Sequence, residues 1–303
     1  MKCPSQLFRR PHLPLWRGDV PVGDWLFGRS SVVGSIPRVL PASRRCGSAR
    51  CRVVGDDDAV QVTFVGSGDA FGSGGRWQTC IRLAASGKTL LVDCGATSLV
   101  ALKAQRIDPN TIDAVVVTHL HGDHFGGLPF LILDGQFSRR SAPLVVAGPP
   151  GTGSRLAAAM EVLFPGSSRV QRRFPVEMVE LAVDGTPADI GGAMVRGWQV
   201  EHASGAPPLA VNIALGGSVF AYSGDTQWTA ALTEVAHGAD LFAVEAYTFD
   251  RRVRYHLDYR TLREHLDDLH AKRIVLTHMS ASMLGRLADA DLPAAYDGMT
   301  IDI

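Results

Sequence analysis

The sequence predicts an α/β protein in which two β-sheets pack together with helices outside them, over residues 59–303. Three observations carry that reading. The runs 114–118 and 274–277 are short and continuously apolar up to a terminal threonine, as strands buried on both faces are. Strand-like and helical runs alternate through both halves of the region. A hydrophobic content of 46% over 303 residues suits a globular chain with a substantial core.

In chain order, residues 60–65 form a β-rich run that stops at Gly66-Ser-Gly68-Asp69. Segments 79–85 and 89–93 flank Ser86-Gly87 and predict a hairpin. A helical run over 96–105 is followed by a turn at Asp108-Pro109-Asn110. After the apolar strand 114–118 come a helix over 128–137, a strand over 144–147 and a helix over 154–163 that Pro165 ends. Strands are next predicted at 176–181, 193–200, 209–215 and 218–222, then a helix over 228–236 and a strand over 241–245. Over 259–270, Leu262, Leu266 and Leu269 fall at i, i+4 and i+7 and give a helix one apolar stripe. The strand 274–277 is the last.

Residues 1–58 follow a different grammar. They are rich in Arg, Pro, Ser and Gly, and Pro4, Pro11, Pro14, Pro21, Pro37 and Pro41 interrupt any long helix. This stretch is expected to be a disordered or targeting-like extension that carries no chemistry. The chain is formally neutral, yet ten of its thirty basic and only five of its thirty acidic residues lie in 1–58. The remainder is therefore mildly acidic, which argues against broad, sequence-independent phosphate binding. No apolar run approaches the roughly 18–20 residues that cross a bilayer, so no membrane partner is expected. Five cysteines without a CxxC pair read as reduced thiols, and the protein as cytoplasmic.

The chemistry begins where strand 114–118 ends. His119, His121, Asp123 and His124 place four metal-capable side chains within six residues, with Gly122 allowing the chain to curl so that they converge. His119-x-His121-x-Asp123-His124 is similar to the signature of the metallo-β-lactamase superfamily, and Leu91-Val-Asp93-Cys-Gly95 resembles the strand end that precedes it there. The resemblance covers residues 60–280 and implies a four-layer αββα sandwich. It extends to His202, to Asp225 in Ser223-Gly-Asp-Thr226, and to His278 in Thr277-His-Met-Ser280. Carried over, it implies that His119, His121 and His202 hold one divalent ion, that Asp123, His124 and His278 hold a second, and that Asp225 bridges them. Zinc stands first among the metals, with Mn²⁺ and Fe²⁺ as alternatives for such ligands. His12, His237, His265 and His270 match no motif and read as structural or exposed.

Two ions of this kind lower the pKa of a shared water, and the resulting hydroxide attacks an ester, amide or phosphodiester. Asp123 is the residue expected to orient that water as well. Lactam-cleaving members typically carry cysteine where this chain has Asp225, so the chain looks closer to the ribonuclease Z and phosphodiesterase branch. That branch has an acid and a histidine between the last two motifs, which Glu245 and His256 match, although Tyr247 is inserted after Glu245-Ala246. His256 is the expected general acid, with Glu245 raising its basicity. The backbone N–H groups of the 66–69 turn are candidate donors to a phosphate.

A phosphodiesterase acting on a small-molecule or phosphodiester substrate is therefore the first reading. The alternatives are a carboxylic ester, thioester or lactone hydrolase on the same site, and a non-hydrolytic metal-binding accessory protein. Transfer RNA is the less favoured substrate. The long basic arm of the tRNA-binding ribonuclease Z members has no counterpart here beyond Arg139, Arg140, Arg169, Arg172 and Arg173.

Overall fold

The computed structural model describes residues 59–303, so the expected extension over 1–58 lies outside the described residues. The first sheet is built from β1 (Gln61–Gly66), β2 (Cys80–Ala85), β3 (Lys88–Val92), β4 (Ala114–Val116), β5 (Leu144–Gly148) and β6 (Val176–Glu180). The second is built from β7 (Ala188–Ile190), β8 (Ala193–Gln199), β9 (Leu209–Leu215), β10 (Ser218–Tyr222), β11 (Leu241–Glu245) and β12 (Ile274–Thr277). A final strand, β13 (Thr300–Asp302), returns to the first sheet and pairs antiparallel with β1. The sheet orders are β13-β1-β2-β3-β4-β5-β6 and β12-β11-β10-β9-β8-β7.

Alternation along β4 shows how the layers arise. Ala114 and Val116 face the second sheet, in a core with Val62, Leu90, Val211, Phe220 and Tyr222. Val115 faces the other way, with Leu102, Leu128, Ile132, Leu156 and Met160. Those residues belong to α1 (Ser98–Ala104), α3 (Leu128–Phe137) and α4 (Thr152–Leu163), with the short α2 (Gly122–Phe125) before α3. A third cluster joins Ala221, Phe242, Val244 and Leu276 to Leu232 of α5 (Ala231–Ala236), Leu262 of α6 (Tyr259–Glu264) and Met283 of α7 (Ala281–Leu284). Three apolar interfaces separate four layers, and the chain folds as the αββα sandwich expected. Each fully buried Leu, Val or Phe in them contributes roughly 1.5–3 kcal/mol by leaving water.

Several boundaries differ from expectation. The helix over 228–236 begins only at Ala231, because Trp228 instead stacks on His265 with ring centroids 3.9 Å apart. The helix over 259–270 stops at Glu264 and continues as a 3-10 turn over Leu266–Asp268. Its start is secured by the Asp258 carboxylate, which accepts from the Thr261 N–H.

Strand direction places the site. β3, β4 and β5 run parallel, as do β10, β11 and β12. β8 is antiparallel to β9, which is antiparallel to β10, so β8 also runs with that set. The carboxyl ends of β3, β4, β8, β10, β11 and β12 are followed by Asp93, His119, His202, Asp225, Ala246 and His278 within a few residues.

Candidate metal centre

The structure brings all seven residues of the expected ligand set together. His119, His121 and His202 form one group of converging donor atoms, and Asp123, His124, Asp225 and His278 form another, each within 4.8 Å. The two groups adjoin, since His119 Nε2 lies 3.8 Å from Asp225 Oδ2 and His124 Nε2 lies 3.3 Å from Asp225 Oδ1. A cavity of about 210 Å³ opens onto them, walled by His121, Asp123, His202 and Asp225, with Phe71 and Tyr247 also on its lining.

Local sequence explains how the chain reaches these positions. Gly95 packs so tightly that a Cβ there would lie 2.2 Å from the Asp123 carbonyl oxygen, which accounts for the glycine after Asp93. Gly224 has φ +58, and a Cβ there would lie 2.6 Å from the Leu209 carbonyl, so the turn that aims Asp225 requires glycine. Asp93, Tyr255 and His278 also adopt positive φ, at 60°, 70° and 53°. Non-glycine residues rarely hold that conformation, and such strain concentrates at functional sites.

Proton bookkeeping tests whether these residues suit a cation. The His124 Nδ1 lies 2.6 Å from Asp93 Oδ2, and a carboxylate can only accept, so Nδ1 carries a proton and, in the neutral ring that a cation would bind, Nε2 is bare. The His202 Nδ1 donates to the Tyr255 carbonyl at 3.0 Å, which leaves its Nε2 bare too. The Thr118 hydroxyl gives its proton to Asp93 at 2.8 Å and accepts from His119 Nδ1 at 3.1 Å, with the same outcome for His119. In their neutral forms His119, His124 and His202 thus turn a lone pair inward, and other ring nitrogens meet them: His124 Nε2 sits 3.2 Å from His278 Nε2, and His202 Nε2 sits 3.0 Å from His121 Nδ1. His119 Nε2 has no hydrogen-bond partner in the protein although it is buried. Inward lone pairs with acceptors fixing the outer nitrogen are what a divalent cation requires of histidine.

The surrounding carboxylates favour positive charge in this cluster, and without a cation they hold a proton on His124. Burial would lower the His124 pKa, but Asp225, Asp123 and Asp93 outweigh it and raise it well above the usual imidazole value. His119, buried beside His124, is held well below that value. Burial pushes the Asp93 and Glu245 carboxyls up, with Asp225 adding to the effect at Glu245, as happens to buried acids short of positive charge. Burial opposes ionisation of Asp123 as well, yet His124 and His278 hold its pKa below the carboxylate range.

Glu245 and His256 also meet, with His256 Nδ1 donating to Glu245 Oε2 at 3.0 Å. Burial lowers the His256 pKa, but the Glu245 hydrogen bond and charge outweigh it and raise it to about 9. Asp225, Glu245, His256 and His278 could form a third metal group by distance alone. The facing atoms of Glu245 and His256 already satisfy each other, so we read them as a hydrogen-bonded pair. Glu245 does more than tune His256: its Oε1 accepts from the N–H groups of Thr226, next to Asp225, and Leu257, next to His256. The inserted Tyr247 lies stacked on the His256 ring at 4.5 Å.

One sequence expectation is corrected. The 66–69 turn is a poor oxyanion donor, because the Ser67 N–H donates to Asp297 at 2.9 Å and the Gly68 N–H to the Trp77 carbonyl at 2.7 Å. The arginines between the signature and His202 form no counterpart to a basic arm, as expected, and three of them have partners within the protein. Arg140 is buried and donates to the carbonyls of Pro109, Asn110, Ile112, Ala142 and Pro143, while Arg172 donates to the Ser167 carbonyl and Arg169 pairs with Glu161. Sequence reasoning gave no role to Asp93, Thr118 or Tyr255. Only Asp93 left a signal, as the acid that closes an apolar strand in Leu91-Val-Asp93-Cys-Gly95, one strand ahead of the signature.

Two sheets that deliver such a donor set at their strand ends are the architecture of the metallo-β-lactamase fold. Solved structures share the fold: the metallo-β-lactamase fold protein YhfI of Bacillus subtilis has a TM-score of 0.64 at 17% identity, covering 80% of this chain and 99% of its own. The short form of human tRNase Z has a TM-score of 0.65 at 24% identity, covering 80% and 98%. Residues 60–291 match the model of the family described as anti-Pycsar protein Apyc1, and the chain belongs to that family. Among curated relatives, ribonuclease Z of Agathobacter rectalis is 29% identical over 144 residues, 48% of this chain and 46% of its own length. Ribonuclease Z of Bacillus thuringiensis is 27% identical over 75% of this chain and 90% of its own. The chain thus spans less than half of the first relative and most of the second.

Proposed function

We propose that this chain is a binuclear phosphodiester hydrolase. His119, His121 and His202 would hold one divalent ion, Asp123, His124 and His278 another, and Asp225 would lie between them. Zinc fits the nitrogen-rich donor set best, with Mn²⁺ and Fe²⁺ as alternatives. Two ions are supported by the two adjoining groups of donors, His119, His121 and His202 in one and Asp123, His124, Asp225 and His278 in the other. Such ions, when bound, supply Lewis acidity and make water a competent nucleophile near neutral pH.

The protein's own groups do the rest. Asp123, on the cavity wall, orients the attacking water by accepting its hydrogen bond. His256 lines the same cavity and carries the proton for the departing oxygen, while Glu245 fixes its ring through Nδ1 and stabilises its charged form. The observation that carries the phosphodiesterase reading is this His256–Glu245 pair on the wall of the metal cavity. An alkoxide leaving from phosphorus needs a proton, whereas a good leaving group from an activated ester does not. The names of the relatives carry RNA cleavage, but transfer RNA stays the less favoured substrate given the committed arginines. An anti-Pycsar role, which the family description carries, would be exercised through this hydrolysis.

We further propose that residues 59–303 are the catalytic unit and 1–58 an extension to it. A cytoplasmic setting is supported by the free, buried thiols of Cys80 and Cys94. Among the described residues no helix is long and apolar enough to cross a membrane. The test is a panel of phosphodiester, carboxylic ester, thioester and lactone substrates, with metal content measured on the same sample. Turnover of phosphodiesters with close to two ions per chain is expected. Preference for an ester, thioester or lactone would replace the reading.

A further inference from the structure

Four residues form a closed hydrogen-bonded circuit on the open side of the metal cluster. The Gln227 amide group donates through Nε2 to Glu201 Oε2 at 2.6 Å, and its Oε1 accepts from the Tyr255 N–H at 3.3 Å. The Tyr255 carbonyl accepts from His202 Nδ1 at 3.0 Å, and His202 follows Glu201 in the chain. The circuit runs Glu201, Gln227, Tyr255, His202 and back through one peptide bond. Tyr255 sits in it at φ 70°, a conformation that a bulky residue adopts only where its surroundings impose it. The same tight turn carries His256, whose N–H donates to the Val253 carbonyl at 3.0 Å.

We infer that Gln227 is a positioning residue which, by bracing Glu201 against the Tyr255 backbone, aims His202 Nε2 at the His119–His121 metal position. The other histidines are oriented differently. His124 is held by a buried carboxylate and His119 by the Thr118 hydroxyl, both within the strand-end core. His202 is half-exposed, at the end of β8, and its outer nitrogen has only the Tyr255 carbonyl. A carbonyl on a strained turn orients a ligand only while the turn is held, and a Gln227 side-chain hydrogen bond ties this one to the chain next to His202. The inference rests on reading His119, His121 and His202 as a metal position.

The test is titration of the full-length, metal-stripped protein with Co²⁺, followed by visible absorption and calorimetry, with His202→Ala marking the step that belongs to that position. Gln227→Ala should weaken that step by about 10–100-fold, the usual effect of removing a ligand's supporting group, and leave the other step near its original value. Gln227→Glu should also weaken it, since it removes the donor and faces Glu201 with a like charge. Gln227→Glu combined with Glu201→Gln exchanges donor and acceptor, preserves the Tyr255 contact, and should restore binding to within a few-fold of the original. That pair also serves if Gln227→Ala proves too unstable to titrate. Unchanged Co²⁺ binding in Gln227→Ala, or a double variant no better than Gln227→Glu alone, would overturn the inference. A native chain whose titration is indifferent to His202→Ala would overturn the metal reading itself, and this inference with it.

Discussion

The two halves of the metal cluster are held by different kinds of support. Asp123, His124, Asp225 and His278 are all buried, whereas His121 and His202 are half-exposed. In the buried half, the Asp93 carboxylate takes the outer nitrogen of His124 at 2.6 Å. In the open half, the outer nitrogens of His119 and His202 meet a neutral hydroxyl and a neutral carbonyl. Hydrogen bonds to ionised groups are worth about 1.5–3 kcal/mol against about 0.5–1.5 for neutral ones. His124 is therefore the most strongly oriented of these histidines, and residues of both halves wall the cavity.

The largest expected effect comes from Asp225, the residue proposed to join the two halves. Asp225→Ala should lower metal content in both and remove activity; a variant that keeps one ion at full occupancy would show that Asp225 does not bridge. Next, His256→Ala should leave metal content intact and slow alkoxide-leaving phosphodiesters by about 10²–10⁴. Activated nitrophenyl substrates should suffer much less, and Glu245→Gln should repeat the pattern more weakly. Equal losses on both substrate types would make His256 structural. Asp93→Asn should cost the buried half about 10–100-fold in affinity and so make it the weaker of the two, read by titration of the stripped protein. In the unaltered protein, a chelator should remove the ions in two steps, the open half first. Their affinities should differ by about fivefold, which corresponds to ~1 kcal/mol; simultaneous release would collapse the distinction. The smallest effect is expected from deleting residues 1–58, which should leave activity and unfolding temperature nearly unchanged.

The ligands themselves were legible in both halves, since His119 and His121 of the open half and Asp123 and His124 of the buried half share one signature after an apolar strand, and Asp225 and His278 each follow a strand within a short motif. The groups that support the ligands leave no such mark. The Tyr255 carbonyl is a backbone atom, and its role depends on a turn fixed by Gln227, which lies 28 positions away. Asp93 was visible as a motif residue but not as the partner of His124, because only the fold brings it across from β3. The same limit applies to architecture. Continuously apolar strands such as β4 and β12 were evident, while β7 and β13 are short and largely unburied and depend on neighbouring strands for their definition. Trp228 carried helical periodicity but found a stacking partner in His265.

The ligand set is drawn almost evenly from the two sheets: His119, His121, Asp123 and His124 follow β4 of the first, and His202, Asp225 and His278 follow strands of the second. Each proposed ion would therefore fasten one sheet to the other at the rim of the sandwich, where the apolar core between them ends. An ion present at a thousandfold excess over its Kd adds about 4 kcal/mol to the stability of whatever binds it only when folded. Metal scarcity would then loosen the join between the sheets as well as silence the chemistry, and the lifetime of the protein would follow the supply of the ion.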